Sequence, residues 1–255
     1  MDPVNSDPCI QARVGAMDGS MDQDRFQRVE QKYLFPAGYT DVIRTWLEHA
    51  CVPDPRYPSS VVSSIYFDTP ELFHFYESSN GEFLRAKVRL RWYSGNGATE
   101  PGAGVRCYLE IKTKEGALSE KKRTEVTIPS RVLLEDLFSG EQIPDLTARV
   151  FGLGYRAAGL LVPILLIQYR RQRYLDVESD SAIALDTQIR CTRANDAVVQ
   201  ATLPLCLDVG VLEIKGMNHG TCGVLKPIGS YLIKSPFSKY AVSLESLMQP
   251  LGRRV

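Results

Sequence analysis

Arginine and lysine recur at alternate positions in one stretch of the chain, residues 84–92. Arg85, Lys87, Arg89 and Arg91 alternate there with apolar residues. Successive side chains of a β-strand point to opposite faces, so this spacing puts the cations on one face and the apolar side chains on the other. Adjacent cations repel one another unless water or an anion lies over them. The stretch therefore predicts either a solvated basic face or a site for an anion.

The same alternation recurs in four other segments of the sequence. The charged or polar residues that share a face are, in chain order, Arg28, Glu30 and Lys32; Tyr108, Glu110, Lys112 and Lys114; Tyr169, Arg171 and Arg173; and Glu213 and Lys215. For any single strand, a face turned to solvent explains the pattern. For all of these strands together, the concentration of bases favours a shared interior that they line.

An interior lined by bases indicates a ligand with several negative charges, because buried charge without a partner is costly. Arginine offers paired N–H groups to phosphate oxygens, and lysine adds a point charge. A triphosphate or a polyphosphate chain suits such a lining. The few carboxylates cannot bind phosphate directly, but they could hold a divalent cation that bridges them to phosphate oxygens.

Short strands must position these side chains. The alternation and the turn residues predict strands over 26–34, 61–67, 83–93, 105–115, 121–128, 163–176, 182–190 and 210–216, with a weaker one near 197–203. Helices are predicted over about 40–50, from Pro70, near 130–138, near 145–156, and from Ser238 to about Leu247. Eight strands in one domain favour a barrel, since closure removes sheet edges. We expect an α+β, mainly β fold: an eight-stranded antiparallel closed β-barrel with helices packed outside and a C-terminal helix.

Composition excludes several classes of protein. Of the 255 residues, 44% are hydrophobic and 24% are charged, as in soluble globular proteins rather than disordered or fibrous ones. Residues 1–24 hold five acids and one base and lack periodicity, so we expect a disordered acidic leader there and a single domain over 25–255. The rest of the chain has 29 bases and 25 acids, an excess too small to indicate nucleic-acid binding.

The apolar stretches and the cysteines indicate a cytoplasmic protein. The longest apolar stretch, residues 157–167, is about half of what a membrane-crossing helix needs and contains Pro163, so no direct membrane insertion is expected. The six cysteines and three histidines are scattered without the spacing of a zinc site. Reduced thiols are typical of the cytoplasm.

Eight short motifs carry a resemblance to a known family. They are RVEQKY at 28–33, IYFDTP at 65–70, KVRLRWY at 87–93, LEIK at 109–112, YRR at 169–171, LDT at 185–187, LEIK at 212–215 and FSKY at 237–240. In this order and spacing, from about Arg25 to Leu247, the chain resembles the VTC domain in its stand-alone prokaryotic form. This domain is the polyphosphate polymerase module of the triphosphate tunnel metalloenzyme (CYTH-like) superfamily.

The resemblance implies an activity and a cofactor. Members of the family share a tunnel that binds a nucleoside triphosphate and a divalent metal, here Mn²⁺ or Mg²⁺. The eukaryotic polymerases transfer the γ-phosphate of ATP onto a growing polyphosphate chain. ATP and polyphosphate would therefore be the partners of this chain, as substrates of a metal-dependent phosphotransferase.

The resemblance also implies roles for particular residues. The catalytic residues that bind the reacting phosphates would be Lys32, Arg89, Arg91, Lys112 and Arg171. Further phosphate ligands would be Arg28, Lys87, Lys121, Arg123, Arg173, Lys215, Ser238 and Lys239. Glu213 would hold the metal, with Glu30 and Glu110 as helpers. Ser238 and Lys239 also have a physical basis, because a helix N-terminus offers free N–H groups to an anion.

The sequence departs from the family pattern on one strand. Ala182 and Ala184 stand where the family usually has Arg and Thr, so one phosphate-binding cation is missing. Arg173 stands where a small residue is usual, and a tight hairpin would set it beside Ala184. We hypothesise that Arg173 replaces the lost cation. The alternatives to a polymerase are a tunnel-type triphosphatase and a non-catalytic polyphosphate-binding module.

Overall fold

The computed structural model describes residues 29–94, 104–116, 118–139, 146–157, 159–216 and 223–249. Within these ranges the chain forms eleven strands in one sheet. The strands are β1 (Val29–Pro36), β2 (Val52–Pro53), β3 (Ser59–Asp68), β4 (Leu84–Ser94), β5 (Gly104–Glu115), β6 (Leu118–Pro129), β7 (Val162–Asp176), β8 (Ser181–Ala194), β9 (Leu205–Cys206), β10 (Val209–Gly216) and β11 (Ile233–Lys234). The predicted leader over 1–24 lies outside the described residues.

Helices occupy the connections between strands. They are α1 (Thr40–Ala50), α2 (Phe73–Ser79), α3 (Ser130–Leu134), α4 (Leu146–Gly152) and α5 (Lys239–Met248), and the 3₁₀ segments are Ala37–Tyr39, Asp136–Ser139 and Gly223–Tyr231. Among the described helices, none combines the length and the apolar character needed to cross a membrane.

The sheet is antiparallel and does not close, which corrects the expected closed barrel. The strand order is β11-β1-β10-β8-β7-β3-β4-β5-β6, with β2 paired to β7 and β9 to β8. In the part of the chain that the structure describes, β6 and β11 are therefore the two ends of the path. Strand β6 has a free edge with a dense run of charged residues, including Glu120, Lys122 and Arg123, and such residues discourage pairing at a sheet edge.

The open sheet is nevertheless curled. Lys112 Nζ on β5 lies 3.6 Å from Glu30 Oε2 on β1, although β10, β8, β7, β3 and β4 separate these strands in the sheet. One face of each strand therefore turns toward a common interior. We call this the inner face and define it by the positions of Glu30, Arg89, Glu110 and Glu213.

The opposite, outer face is apolar and packs against helices. Ile43 and Leu47 of α1, spaced for one helix side, pack with Leu185 and Leu212. Residues Val88, Leu90, Leu109 and Ile111 form a second cluster with Leu133 of α3 and Val150 of α4. Helices outside the sheet are thus confirmed for α1, α3 and α4.

Helix α5, the expected C-terminal helix, does not follow this arrangement. Its buried residues Tyr240 and Leu244 pack with Tyr66, Tyr169 and Val211. These three residues alternate with the outer positions of β3, β7 and β10, and so belong to the inner face. Helix α5 therefore fills part of the curled interior, while the rest of the inner face stays charged.

Local chemistry shifts some of the predicted elements. The helix predicted from Pro70 begins only at Phe73, because Leu72 takes a left-handed backbone conformation with φ of 61°. Asp68 serves as its cap, as its carboxylate accepts the N–H groups of His74 and Phe75. The weak strand predicted near 197–203 is wrong, and the 3₁₀ segment over 223–231 was not predicted.

Candidate anion-binding site

Strand register brings the predicted cations together on the inner face. On β4 and β5, Arg89 lies opposite Glu110, and Lys87 lies opposite Lys112. On β7 and β8, Arg171 lies opposite Asp186. The charged residues of the separate sequence segments therefore meet in one interior, arranged around four carboxylates.

Glu110 is the centre of the first charged cluster. Arg89 donates from Nε to Glu110 Oε2 at 2.7 Å, and Lys121 donates to Oε1 at 2.6 Å. Arg91 Nη1 lies 3.9 Å from Oε2. Burial opposes ionisation of this carboxyl, which is 2% exposed, but the charges of Arg89 and Arg91 prevail and lower the pKa of Glu110 to about 2. Glu110 therefore stays ionised and holds three cations in place.

Asp186 is the centre of the second cluster and is completely buried. Arg171 donates to its two oxygens at 2.6 and 2.7 Å, and Lys239 donates to Oδ2 at 2.7 Å. Burial raises the pKa of Asp186, and the charges of Arg171 and Lys239 more than offset it, so the net pKa is lowered. The carboxylate fixes a bidentate arginine and ties β7 to the start of α5.

Glu30 and Glu213 form the third cluster, on the neighbouring strands β1 and β10. Glu213 contacts Lys215 at 2.9 Å and Arg171 at 3.4 Å, whereas Glu30 contacts Lys32 at 3.2 Å. Burial and the nearby Glu213 charge raise the pKa of Glu30. The charges of Lys32 and Lys112 outweigh both effects, so the net pKa of Glu30 is lowered. The pKa of Glu213 is also held well below its usual range, against burial, by Arg171 and Lys215.

The donor set of this third cluster fits a divalent cation. Two ionised carboxylates on adjacent strands supply the oxygen ligands that Mg²⁺ and Mn²⁺ prefer, and phosphate oxygens and water can complete the coordination. Among the described residues, no three Asp, Glu, His or Cys side chains gather as a ready metal site. Glu110, which the sequence adds as a helper, lies outside this pair and is engaged by Arg89, Arg91 and Lys121.

The N-terminus of α5 lies on the charged inner face. Ser238 caps the helix by accepting the N–H of Ala241 at 3.3 Å, and the same hydroxyl accepts from Lys87 Nζ at 2.9 Å. Lys32 Nζ lies 3.4 Å from the carbonyl oxygen of Phe237. Burial is the main cause that lowers the pKa of Lys87, to about 8. The charges of Lys32 and other cations lower this pKa further, and Tyr66 opposes the shift. Helix dipole, hydroxyl and ammonium groups thus converge on one point.

A buried phenol and a buried carboxylate fix α5 in this position. Tyr240 donates from its hydroxyl to Asp68 Oδ2 at 2.8 Å, and its ring stacks on Tyr66 with centroids 5.0 Å apart. The Tyr66 oxygen accepts from Arg89 at 3.4 Å. Burial opposes ionisation of Tyr66, but the charges of Arg89 and Arg91 lower its pKa to about 8. The helix anchor is therefore in contact with the cation cluster.

The remaining predicted residues lie toward the edges of the inner face or outside the described residues. Arg28 lies outside the described residues. Lys215 and Arg123 are exposed, and Arg123 lies over the ring of Tyr108. Arg173 is paired with Ala184, as the hairpin predicted, but its guanidinium lies over Tyr93 and donates to the Tyr57 carbonyl at 3.2 Å. Its replacement of a phosphate-binding cation stays a prediction.

Some residues of the site were not singled out from the sequence. Ser64 accepts a hydrogen bond from buried Arg91 at 3.0 Å, and Tyr66 contacts Arg89. Their signal was present: Ser64, Tyr66 and Asp68 alternate along β3 just as the cations do along β4. The sequence left Asp186 open between a structural and a lining role. Its two cation partners are distant in sequence, so only the fold reveals them.

One family model matches most of the chain. The family model described as the VTC domain matches residues 27–248. No curated protein matches the chain. Among solved structures, a putative adenylate cyclase from Bacillus halodurans is 13% identical, with 83% of this chain and 93% of that chain covered and a TM-score of 0.49. A putative adenylate cyclase from Vibrio parahaemolyticus is 12% identical, with 84% and 97% covered and a TM-score of 0.42.

Proposed function

The chain belongs to the VTC domain family, and we propose that it is a polyphosphate polymerase that transfers the γ-phosphate of ATP onto a growing polyphosphate chain. One observation carries the proposal: the cations of the inner face outnumber its acids. In the clusters described above, the cations are Lys32, Lys87, Arg89, Arg91, Lys112, Lys121, Arg171, Lys215 and Lys239, and the acids are Glu30, Asp68, Glu110, Asp186 and Glu213. A polyanion supplies the missing negative charge.

The cations are already ordered for binding. Asp186 and Glu110 hold the guanidinium groups of Arg171 and Arg89 at hydrogen-bond distance from carboxylate oxygens. In this proposal, the arginine N–H groups that those bonds do not use bind phosphate oxygens. Because these side chains need little reordering, the entropic cost of binding is small.

Phosphoryl transfer needs mainly positioning and neutralisation of charge. Arg89, Arg91 and Arg171 neutralise the oxygens of the transferred phosphoryl group, and Lys32 and Lys112 neutralise the neighbouring phosphates. Glu30 and Glu213 would hold a divalent cation, which supplies Lewis-acid polarisation of phosphate oxygens when bound. Lys87, Ser238 and Lys239 hold the phosphate that reaches the N-terminus of α5.

The test is a product analysis with γ-labelled ATP and Mn²⁺ or Mg²⁺, resolved on a polyacrylamide gel. We expect a ladder of long chains that Glu213→Ala abolishes and that Glu48→Ala, a charge deletion on α1 outside the sheet, leaves intact. Release of free phosphate without a ladder would contradict the polymerase and indicate a triphosphatase. No consumption of ATP would contradict both enzymes and leave a polyphosphate-binding module.

A further inference from the structure

Aromatic and arginine side chains form a patch where the inner face reaches the end of β4 and the start of β5. We call Tyr93, Tyr108, Arg123 and Arg173 the mouth patch. The rings of Tyr93 and Tyr108 meet edge to face with centroids 6.3 Å apart. The Arg173 guanidinium carbon lies 5.7 Å from the centre of the Tyr93 ring, and that of Arg123 lies 5.1 Å from the centre of the Tyr108 ring. Four planar groups thus lie against one another.

The mouth patch continues the charged inner face. Tyr93 follows Arg91 by two residues on β4, and Arg173 follows Arg171 by two residues on β7. A strand advances about 3.4 Å per residue, so Tyr93 lies roughly 7 Å beyond Arg91 along β4, and Arg173 lies roughly 7 Å beyond Arg171 along β7. Tyr108 lies directly opposite Arg91 in the register of β4 and β5. A ligand with phosphates among these arginines reaches the patch with its next chemical group.

The patch is open rather than part of the core. Tyr93 is 39% exposed, whereas the neighbouring Trp92 is 6% exposed and packs under the helices of the outer face. Arg173 donates a hydrogen bond to the Tyr57 carbonyl, which favours the orientation of its planar group over Tyr93. An exposed tyrosine ring beside fixed guanidinium groups is a stacking surface for another planar, electron-rich group.

We propose that the mouth patch binds the nucleobase of the nucleotide whose triphosphate lies among the inner-face cations. The ligand class is a purine nucleotide, because a purine offers the larger stacking area. This assignment rests on the proposed function and gives Arg173 a role beside the base instead of the phosphates. Stacking accepts every base, so the patch adds affinity for nucleotides over inorganic chains and only weak selectivity among bases.

The experiment compares ATP with inorganic tripolyphosphate by isothermal titration calorimetry, in EDTA so that neither ligand turns over. Tyr93→Leu removes the ring and should weaken ATP binding by about tenfold, as base–aromatic stacking is lost. Tripolyphosphate binding should change by less than about twofold, because it carries no base. Tyr93→Phe keeps the ring and should keep the wild-type affinity for ATP, which shows that the leucine variant acts through stacking.

The failures are distinguishable. If Tyr93→Leu leaves ATP affinity unchanged, or weakens ATP and tripolyphosphate equally, the base site is overturned while the triphosphate site stands. If the wild-type protein binds both ligands and Tyr93→Phe weakens ATP binding as much as Tyr93→Leu does, stacking is overturned as the cause. If the wild-type protein binds neither ligand, the proposed function fails and the base site fails with it.

Discussion

At the scale of single residues, buried acids determine how the inner-face cations are arranged. Glu110 and Asp186 each hold more than one cation at hydrogen-bond distance. Both carboxyls have a lowered pKa, so they stay ionised throughout the neutral range. Without them, the repulsion among adjacent lysines and arginines would push these side chains apart or lower their charge. An arriving phosphate finds cations that are charged and already in place.

Lys87 is the cation whose charge is most sensitive to pH. Its pKa of about 8 means that the ammonium in the free protein loses its proton as the pH rises through 8. A bound polyanion favours the charged form, so binding above pH 8 takes up a proton. We predict that tripolyphosphate affinity falls by up to about tenfold per pH unit above 8. Calorimetry in two buffers of different protonation enthalpy measures the proton uptake.

The matched variant for Lys87 is Lys87→Arg, because a guanidinium stays charged throughout this range. It should bind tripolyphosphate with less proton uptake than the wild-type protein between pH 8 and 9. Tyr66 has a pKa near 8 as well, and Tyr66→Phe separates its contribution from that of Lys87. Proton uptake by Lys87→Arg equal to that of the wild-type protein would contradict the assignment.

At the scale of elements, α5 is the helix on which the site depends. Its N-terminus contributes Ser238 and Lys239, and its apolar side fills part of the interior. Its position is fixed by Tyr240, whose hydroxyl reaches the buried Asp68 and whose ring stacks on Tyr66. Asp68 also caps α2. One carboxylate therefore joins β3, α2 and α5.

Removing the Tyr240 hydroxyl should loosen α5 without removing the stacked ring. We predict that Tyr240→Phe lowers the free energy of unfolding by about 2 kcal/mol, the usual value of one hydrogen bond to a charged group. It should also weaken tripolyphosphate binding severalfold, because Ser238 and Lys239 are then less firmly positioned. Urea unfolding and calorimetry measure the two effects.

Ser246→Ala is the control for Tyr240→Phe, since it deletes another hydroxyl of α5, which donates within the helix to the carbonyl of Val242. It should leave tripolyphosphate affinity unchanged. Equal losses of affinity in the two variants would mean that the Asp68 contact does not position the site.

At the scale of the whole molecule, the alternation of charged and apolar residues predicted the strands but not how the sheet curls. The charged positions of β4 and β5 indicated both the strands and the face that Arg89 and Glu110 share. Curling is different, because it depends on contacts such as that between Glu30 and Lys112, which no local pattern encodes. The inner position of α5 was equally hidden, since the apolar side of a helix does not show which face of a sheet it covers.

The candidate site was predictable to the same degree. Most of its cations could be named from periodicity because they lie in charged strand patterns, and others, such as Lys239 on α5, from resemblance. The pairing of these cations with Asp186 and Ser64 could not be predicted, because the register across β7–β8 and β3–β4 decides those contacts. Arg173 shows the limit well: its position opposite Ala184 was predicted correctly, whereas its contact with Tyr93 depends on a strand far away in sequence.

Binding of a polyanion on the inner face of the curled sheet can be tested with two neighbouring lysines of β6. Lys121 and Lys122 are adjacent, but Lys121 contacts Glu110 on the inner face while Lys122 pairs with Glu120 on the other side. By calorimetry, Lys121→Ala should weaken tripolyphosphate binding by about fivefold, the value of roughly 1 kcal/mol for a partly exposed charged contact. Lys122→Ala, with the same loss of charge, should leave binding unchanged. Equal weakening by both variants would contradict binding at this face, because the attraction would then depend on total charge and not on the inner face.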